Sequence, residues 1–237
     1  AVEVFSHLSA YYRNQKLLMQ MPGPFSPHHV EPDVESSRLI IEGAMQEHRK
    51  VLTEMESKAL LSAFNIPVAK TMVAHSPNEA LLIAQQLGFP VAMKVNSPDI
   101  THKSDAGGVL LNLNNAHEVR AAYQHIIDNV QHNRPNAKMD GISIEPMIIK
   151  PNGRELMIGV TSDPVFGPVI TFGSGGTAVE VMGDRAVALP PLNNFLVREL
   201  IQDTRIARML GAFRNMAPAN MEALEDVLLR VSEMVCE

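Results

Sequence analysis

The chain has 237 residues, of which 46% are hydrophobic and 19% are charged, proportions that are ordinary for a globular protein with a sizeable core. Its net charge of −6 argues against a nucleic-acid binder, because such proteins carry a basic face. The single cysteine cannot close an internal disulfide, and no apolar run approaches the roughly 20 residues of a membrane span, so we expect a cytoplasmic protein without membrane contact.

The N-terminal part predicts a helix and then a linker. An uneven apolar stripe over residues 1–19 indicates the helix, and residues 21–33 contain four prolines and a glycine, which favour an extended segment. The chain starts with Ala1 and ends at Glu237, directly after a helical run. We therefore expect a piece of a longer protein, in which residues 1–35 are the helix and linker of a preceding domain.

Helix and strand signals alternate over the next hundred residues. A helical pattern starts at Ser37, and Thr53-Glu-Met-Glu56 and Ser76-Pro-Asn-Glu79 both match a capping box, in which a hydroxyl caps the helix and a glutamate follows three residues later. Gly88 predicts the end of the second of these helices. Strands are predicted at residues 67–73, 91–96 and 109–113, and a further helix at residues 116–132.

The second half is richer in strands. Apolar runs separated by glycine and proline predict strands at residues 142–149, 155–161, 168–172 and 179–182. Residues 194–235 predict helices with a break near Pro218. This mixture indicates an α/β or α+β fold.

The stretch most suggestive of chemistry follows the apolar run Val91-Ala-Met-Lys-Val95. The loop after it ends in Gly107-Gly108, and glycine backbone can direct successive N–H groups at an anion. Because Lys94 adds a positive charge for phosphate oxygens, the pattern predicts a β-hairpin that binds a phosphate chain. The alternative is an edge-strand lysine with its ammonium in water.

The same loop contains His102 and Lys103. A neutral imidazole can attack phosphorus, so His102 is a candidate nucleophile or phosphate contact, although a lone histidine is also common as a plain surface residue. Asp105 could also take part in chemistry, or Ser104 and Asp105 could simply form the turn.

Two further segments allow two interpretations each. Glu145-Pro-Met147 and Gly153-Arg-Glu155 form either a hairpin with solvated charges or a hinge whose backbone pairs with an adenine edge and whose glutamate accepts from ribose hydroxyls. The loop Gly173-Ser-Gly-Gly176 lacks the context of a Rossmann fingerprint or a P-loop. Glu180 follows it and is either a metal or substrate contact or the cap of a strand.

Together these segments resemble the ATP-grasp domain of NDP-forming acyl-CoA synthetases, a group with ADP-forming acetyl-CoA synthetases and, more distantly, succinyl-CoA synthetase β subunits. The resemblance covers about residues 37–200 and is carried by the motifs within residues 53–68, 91–109, 153–160 and 163–176. It implies an ATP-grasp fold of two subdomains over residues 36–237, with the smaller at about residues 60–140, truncated at the C-terminus.

The resemblance also implies roles for individual residues. It assigns nucleotide binding to Lys94, Gly107, Gly108, Glu145, Met147 and Glu155, and Lys103 is a further cofactor-binding candidate because it lies in the same loop. In this assignment Lys94 binds the phosphates, the diglycine loop covers them, Glu145 and Met147 form the adenine hinge, and Glu155 holds the ribose. His102 matches a position that, in some relatives, takes phosphate from a phosphohistidine segment.

The implied reaction converts acyl-CoA, phosphate and ADP into acid, CoA and ATP, or the reverse, with ATP or ADP and Mg²⁺ bound. The Mg²⁺-binding strand pair typical of the family, with Glu-x-Asn-Pro and Asp-Ala-Arg sequences, is missing from this fragment. The metal ligands therefore stay unassigned, and we expect the fragment alone to be inactive. An upstream CoA-binding domain is the expected partner.

Residues 1–60 look most similar to bacterial protein lysine acetyltransferases, in which a synthetase-like region precedes a GNAT domain. The leading hypothesis is accordingly a regulatory nucleotide-binding portion of such a protein. The alternatives are the catalytic β part of an active ADP-forming acetyl-CoA synthetase and a structural module with a vestigial pocket.

Overall fold

The computed structural model describes residues 2–19, 30–150, 152–176, 183–212 and 216–237. The chain divides into two compact units, one formed by residues 32–153 and the other by residues 1–31 with residues 154–237. The predicted boundary at residue 35 and the smaller subdomain at about residues 60–140 stay predictions. The first helix, α1 (Val2–Leu18), occupies the predicted place.

The unit of residues 32–153 is built on a four-stranded antiparallel sheet. Its strands are β1 (Met72–Ala74), β2 (Val91–Val95), β3 (Val109–Leu113) and β4 (Ile142–Pro146), in the order β1-β4-β2-β3. Its helices are α2 (Val34–Gln46), α3 (Glu54–Ala63), α4 (Pro77–Leu87) and α5 (Ala116–Asn133).

One face of this sheet forms the core of the unit. Val91, Met93 and Val95 alternate along β2 and are buried with the apolar side chains of α4 and α5. Because side chains alternate between the faces of a strand, Lys94 lies on the other face. It is the one member of β2 that is not fully buried.

Local capping explains where the helices begin. The Thr53 hydroxyl accepts from the N–H of Glu56, and the Glu56 carboxylate accepts from the N–H of Thr53, which confirms the predicted capping box. Ser76 also caps its helix, but the Glu79 carboxylate accepts from the N–H of His75, so this second box is not reciprocal. Helix α2 begins before Ser37 because Asp33 caps it.

Two predicted strands are shorter in the structure. The run at residues 67–73 contributes only its last two residues to β1, which extends to Ala74, and it starts with Pro67, which has no N–H to donate. The run at residues 142–149 ends as a strand at Pro146, and Ile148 and Ile149 are exposed beyond it. In both places the apolar run is therefore longer than the strand that forms.

The other unit contains a three-stranded antiparallel sheet in the order β5-β6-β7. Its elements are β5 (Leu156–Asp163), β6 (Gly167–Ser174), β7 (Arg185–Ala188), α6 (Asn194–Gln202), α7 (Ala207–Leu210) and α8 (Met221–Cys236). Phe172 and Leu228 are fully buried in its core. The predicted strand at residues 179–182 lies outside the described residues, whereas β7 was not predicted.

None of the helices in the described parts of the chain has the length and hydrophobicity needed to cross a bilayer.

Candidate phosphate-binding site

A polar pocket of about 390 Å³ lies at the end of β2. It is lined by Lys94 on β2, Val109 on β3, the loop residues 101–105 between these strands, and Glu54 at the start of α3. The predicted residues Lys94, His102 and Lys103 therefore share one pocket. All of its lining residues belong to the unit of residues 32–153.

Two glutamates hold the lysines of this region. The Glu145 carboxylate accepts from the ammonium groups of Lys94, through Oε1, and Lys58, through Oε2 at 2.8 Å. The Glu54 carboxylate lies 3.2 Å from Lys58 Nζ, 3.6 Å from Lys103 Nζ and 3.9 Å from Lys94 Nζ. We call these five residues the lysine–glutamate network.

The network keeps one net positive charge, because three ammonium groups face two carboxylates. Its side chains are mostly buried, with exposed fractions between 16% and 26%. Ion pairs in such a place are less screened than pairs on the surface. Two of these ammonium groups, those of Lys94 and Lys103, belong to residues that line the pocket, so an anionic ligand entering it would meet them.

The titration behaviour of two members reflects this pairing. Burial opposes the charge of Glu145, but the hydrogen bonds and charges of Lys58 and Lys94 outweigh it and lower the pKa of this carboxyl. Burial likewise opposes the charge of Lys58, but Glu145 and Glu54 outweigh it and raise the pKa of its ammonium. Both groups are therefore charged at neutral pH.

The diglycine loop is fixed by its own backbone and by α5. The N–H of Gly107 donates to Ser104 O at 3.0 Å, and the N–H of Gly108 donates to Lys103 O at 2.8 Å. The Asn129 amide on α5 donates to Gly107 O at 3.3 Å. Both glycine N–H groups are thus used within the loop, and the phosphate-covering role of Gly107 and Gly108 stays a prediction.

Close packing explains why glycine is needed at both positions. A Cβ on Gly108 would lie 2.5 Å from Val95 Cγ1 and 3.1 Å from Lys103 O. Gly107 has a φ of +66°, a left-handed conformation that other residues rarely adopt, and a Cβ there would meet the Asn129 side chain. The glycines let the loop approach β2 and α5, which places residues 101–105 on the pocket wall.

The remaining predicted residues lie in different surroundings. His102 is exposed on the pocket wall, where its imidazole can meet an incoming group. The N–H of Met147 donates to Pro90 O at 2.9 Å. The hinge role of Glu145 and Met147 stays a prediction, and the structure shows the Glu145 carboxylate paired with lysines.

In the other unit, the loop after β6 lies against Glu155. The N–H of Gly175 donates to Glu155 O at 2.7 Å, and a Cβ on Gly176 would collide with the Glu155 carboxylate. The glycines of this loop therefore leave room for that side chain. Its proposed contact with ribose stays a prediction, and Glu180 lies outside the described residues.

The sequence patterns did not indicate Glu54 or Lys58 as site residues. Both lie on α3, and their spacing of four residues places an acid and a base on one helix face. The spacing is visible in the sequence, but it does not indicate a binding site because it is equally common on solvated helix faces. Only their contacts with Glu145, Lys94 and Lys103 distinguish them.

The donors in this region do not favour a metal ion. No group of three or more His, Cys, Asp or Glu side chains suited to hold one occurs in the described parts of the chain. The carboxylates of Glu54 and Glu145 both face lysine ammonium groups. We therefore assign none of the described residues to Mg²⁺.

Comparison with known proteins places this chain in a family. A family profile described as an ATP-grasp domain matches residues 43–237. The chain belongs to the ATP-grasp family. This assignment confirms the predicted mixed α/β ATP-grasp fold, and the relatives below identify it as an ATP-grasp domain of the ADP-forming acyl-CoA synthetase β-subunit type.

Two relatives show the range of protein architectures. The chain is 39% identical over 204 residues to the acetate–CoA ligase (ADP-forming) I subunit beta of Pyrococcus furiosus, covering 86% of this chain and 87% of that subunit. It is 33% identical over 230 residues to the 4-hydroxybutyrate–CoA ligase (ADP-forming) of Nitrosopumilus maritimus, covering 97% of this chain but 32% of that protein. The ATP-grasp domain thus matches both a separate subunit and part of a longer chain.

Solved structures support the same family assignment. The acetyl-coenzyme A synthetase 1 of Ca. Korarchaeum cryptofilum, in complex with coenzyme A, Ca-AMPCP and HgCl⁺, superposes with a TM-score of 0.80 and 39% identity, covering 84% of this chain and 86% of that chain. Another structure of that synthetase contains Mg-AMPPCP and has its phosphohistidine segment pointing towards the nucleotide binding site, with a TM-score of 0.73, 35% identity, and coverage of 85% and 86%.

Proposed function

We propose that this ATP-grasp domain binds ATP or ADP and serves an ADP-forming acyl-CoA synthetase. Its reaction would convert acyl-CoA, phosphate and ADP into acid, CoA and ATP, or the reverse. One observation carries the proposal: Lys94 and Lys103 line the same pocket together with His102. Two ammonium groups in one pocket can bind successive phosphate oxygens of a polyphosphate chain.

His102 supports the synthetase reaction because it lies on the wall of the same pocket. In the proposed step, an imidazole nitrogen of His102 forms a bond to phosphorus while the bond from phosphorus to the donor histidine breaks. The donor would be a phosphohistidine segment of a CoA-binding domain. The neighbouring synthetase structure, whose segment points towards the nucleotide site, supports this arrangement.

The named relatives favour the synthetase over the regulatory portion of a lysine acetyltransferase. They are CoA ligases, and one of them is a separate β subunit of almost the same extent as the match. The acetyltransferase hypothesis, with its GNAT domain, stays a prediction. The flanking sequence separates the two, because a phosphohistidine upstream favours the synthetase and a GNAT domain downstream favours the acetyltransferase.

Isothermal titration calorimetry with ADP and ATP tests nucleotide binding. We expect the wild-type chain to bind both, and Lys94→Met to weaken each by about tenfold or more, because a hydrogen bond to a charged group is lost. Lys70→Met is the matched control, since it removes the same charge from an exposed residue outside the pocket lining. Absence of binding by the folded wild-type chain would leave only the structural module.

A further inference from the structure

Lys58 does not line the pocket, yet it contacts the carboxylate that Lys94 also contacts. Lys58 Nζ donates to Glu145 Oε2 at 2.8 Å and to Thr71 Oγ1 at 2.5 Å, and it lies 3.2 Å from Glu54 Oε1. The other oxygen of Glu145, Oε1, accepts from Lys94. The Glu145 carboxylate is therefore shared between Lys94, which lines the pocket, and Lys58, which does not.

Because Glu145 pairs with Lys94, it affects how Lys94 can bind a phosphate that enters the pocket. A phosphate oxygen that binds Lys94 must compete with Glu145 for the same ammonium group. Glu145 is mostly buried, so its carboxylate needs another cation when Lys94 turns to the ligand. Lys58 supplies that cation, since Glu54 and Thr71 hold its ammonium against Glu145 Oε2.

We propose that Lys58 is a positioning residue that retains Glu145 and thereby leaves Lys94 available for polyphosphate. Without Lys58, Glu145 has Lys94 as its remaining lysine partner, and phosphate binding would leave a mostly buried carboxylate without a cation. The inference rests on the proposed function, because it takes polyphosphate as the ligand of Lys94.

A purely structural role makes different predictions. Lys58 also connects α3 to β4, since its partner Glu145 lies on that strand. If this connection were its whole purpose, Lys58→Met would lower stability, and removing the charge of Glu145 as well would not restore phosphate binding. The positioning role predicts restoration, because an uncharged Glu145→Gln side chain no longer competes for Lys94. Glu54 remains in that variant, but its carboxylate lies 3.9 Å from Lys94 Nζ, beyond hydrogen-bond distance.

The test is calorimetric titration of the full chain with inorganic tripolyphosphate in buffer containing EDTA, which keeps adenine, ribose and metal ions out of the measurement. We expect Lys58→Met to weaken binding about tenfold, in line with the strength of charged hydrogen bonds. Lys58→Arg should bind within about twofold of wild type because it keeps the charge. The double variant Lys58→Met/Glu145→Gln should recover most of the lost affinity.

Lys70→Met is the matched control and should bind tripolyphosphate as the wild type does. Thermal unfolding of each variant shows whether it is folded at the titration temperature, and Glu145→Gln alone should bind at least as tightly as wild type. Unchanged binding in Lys58→Met, or no recovery in the double variant, overturns the inference while the proposed function stands. Failure of the wild type to bind tripolyphosphate and ADP overturns both.

Discussion

Lys94 and Glu145 meet diagonally across two antiparallel strands. The register of β2 and β4 places Lys94 opposite Ser143 and Ala92 opposite Glu145, so both charged side chains project from the same face. Long side chains can reach each other across such a diagonal. Lys94 therefore has a counter-charge in the folded chain, and under the proposed function the binding of a phosphate to Lys94 is an exchange of partners.

We expect Gly108→Ala to destabilise the unit of residues 32–153. The new methyl group would lie 2.5 Å from Val95 Cγ1 and 3.1 Å from Lys103 O, so β2 or the loop must shift. The expected loss is about 1–3 kcal/mol in the free energy of unfolding, measured by urea denaturation. Gly43→Ala on α2 is the control: its Cβ meets nothing within 4 Å, and helix propensity predicts a gain of up to about 1 kcal/mol. Equal effects of the two substitutions would contradict the packing argument.

Glu155 should matter for the nucleoside and not for the phosphates. If it holds the ribose, Glu155→Gln weakens ADP binding about tenfold and leaves tripolyphosphate binding unchanged. Gly176→Ala should have the same effect, because its methyl group would displace the Glu155 carboxylate. Calorimetry with both ligands measures the difference, and Glu222→Gln on α8 is an exposed control. A parallel loss of tripolyphosphate binding would refute the ribose assignment.

The capping box at the start of α3 should contribute measurably to stability. Thr53→Ala removes the hydroxyl that accepts from the N–H of Glu56, and such a loss costs about 1 kcal/mol in the free energy of unfolding. Thr53→Ser keeps a hydroxyl and should stay close to wild type. Urea denaturation of the wild type and the two variants measures these differences. A Thr53→Ser variant as unstable as Thr53→Ala would argue against capping as the cause.

The pair of Glu56 with Arg49 should make stability depend on pH at the acid end. The hydrogen bonds from Arg49, opposed by burial and supported by Thr53, lower the pKa of Glu56 to about 2 from its ordinary value of 4.5. The charged form is therefore favoured in the folded state, so the stabilisation is complete above about pH 4.5 and is lost as the pH falls towards 2.

Urea midpoints of wild type and Glu56→Gln at pH 6 and pH 3 measure this effect. At pH 6 we expect the wild type to be more stable by about 1 kcal/mol, and at pH 3 by less. Glu42→Gln, an exposed substitution on α2, should shift stability equally little at both values. A wild-type advantage that grows on acidification would contradict the assignment.

Several elements were predictable because their causes are local. Thr53 and Ser76 each accept from an N–H three residues later, and such a hydrogen bond depends only on nearby backbone. The strands β2 and β3 also match their apolar runs, and the glycine loop between them was visible as a pattern. Lys94, His102 and Lys103 were chosen from these local signals, and they share one pocket.

Other features depended on contacts between distant segments. The run at residues 67–73 was apolar enough for a strand, but a strand also requires a neighbour to accept and donate hydrogen bonds. In this part of the chain only Met72–Ala74 pair with β4. Strand β7 forms because it pairs with β6, which its short sequence does not reveal.

Contacts between distant segments also decide the ion pairs of Glu54, Lys58 and Glu145. The sequence indicated a lysine before a glycine loop, because these residues are close together along the chain. It did not indicate that Glu145 would pair with this lysine or with Lys58. Glu145 is 51 positions from Lys94 and 87 positions from Lys58, so these side chains meet only in the folded chain. Charge pairing at long range is a property of the folded chain, since it depends on distance in space and on burial from water.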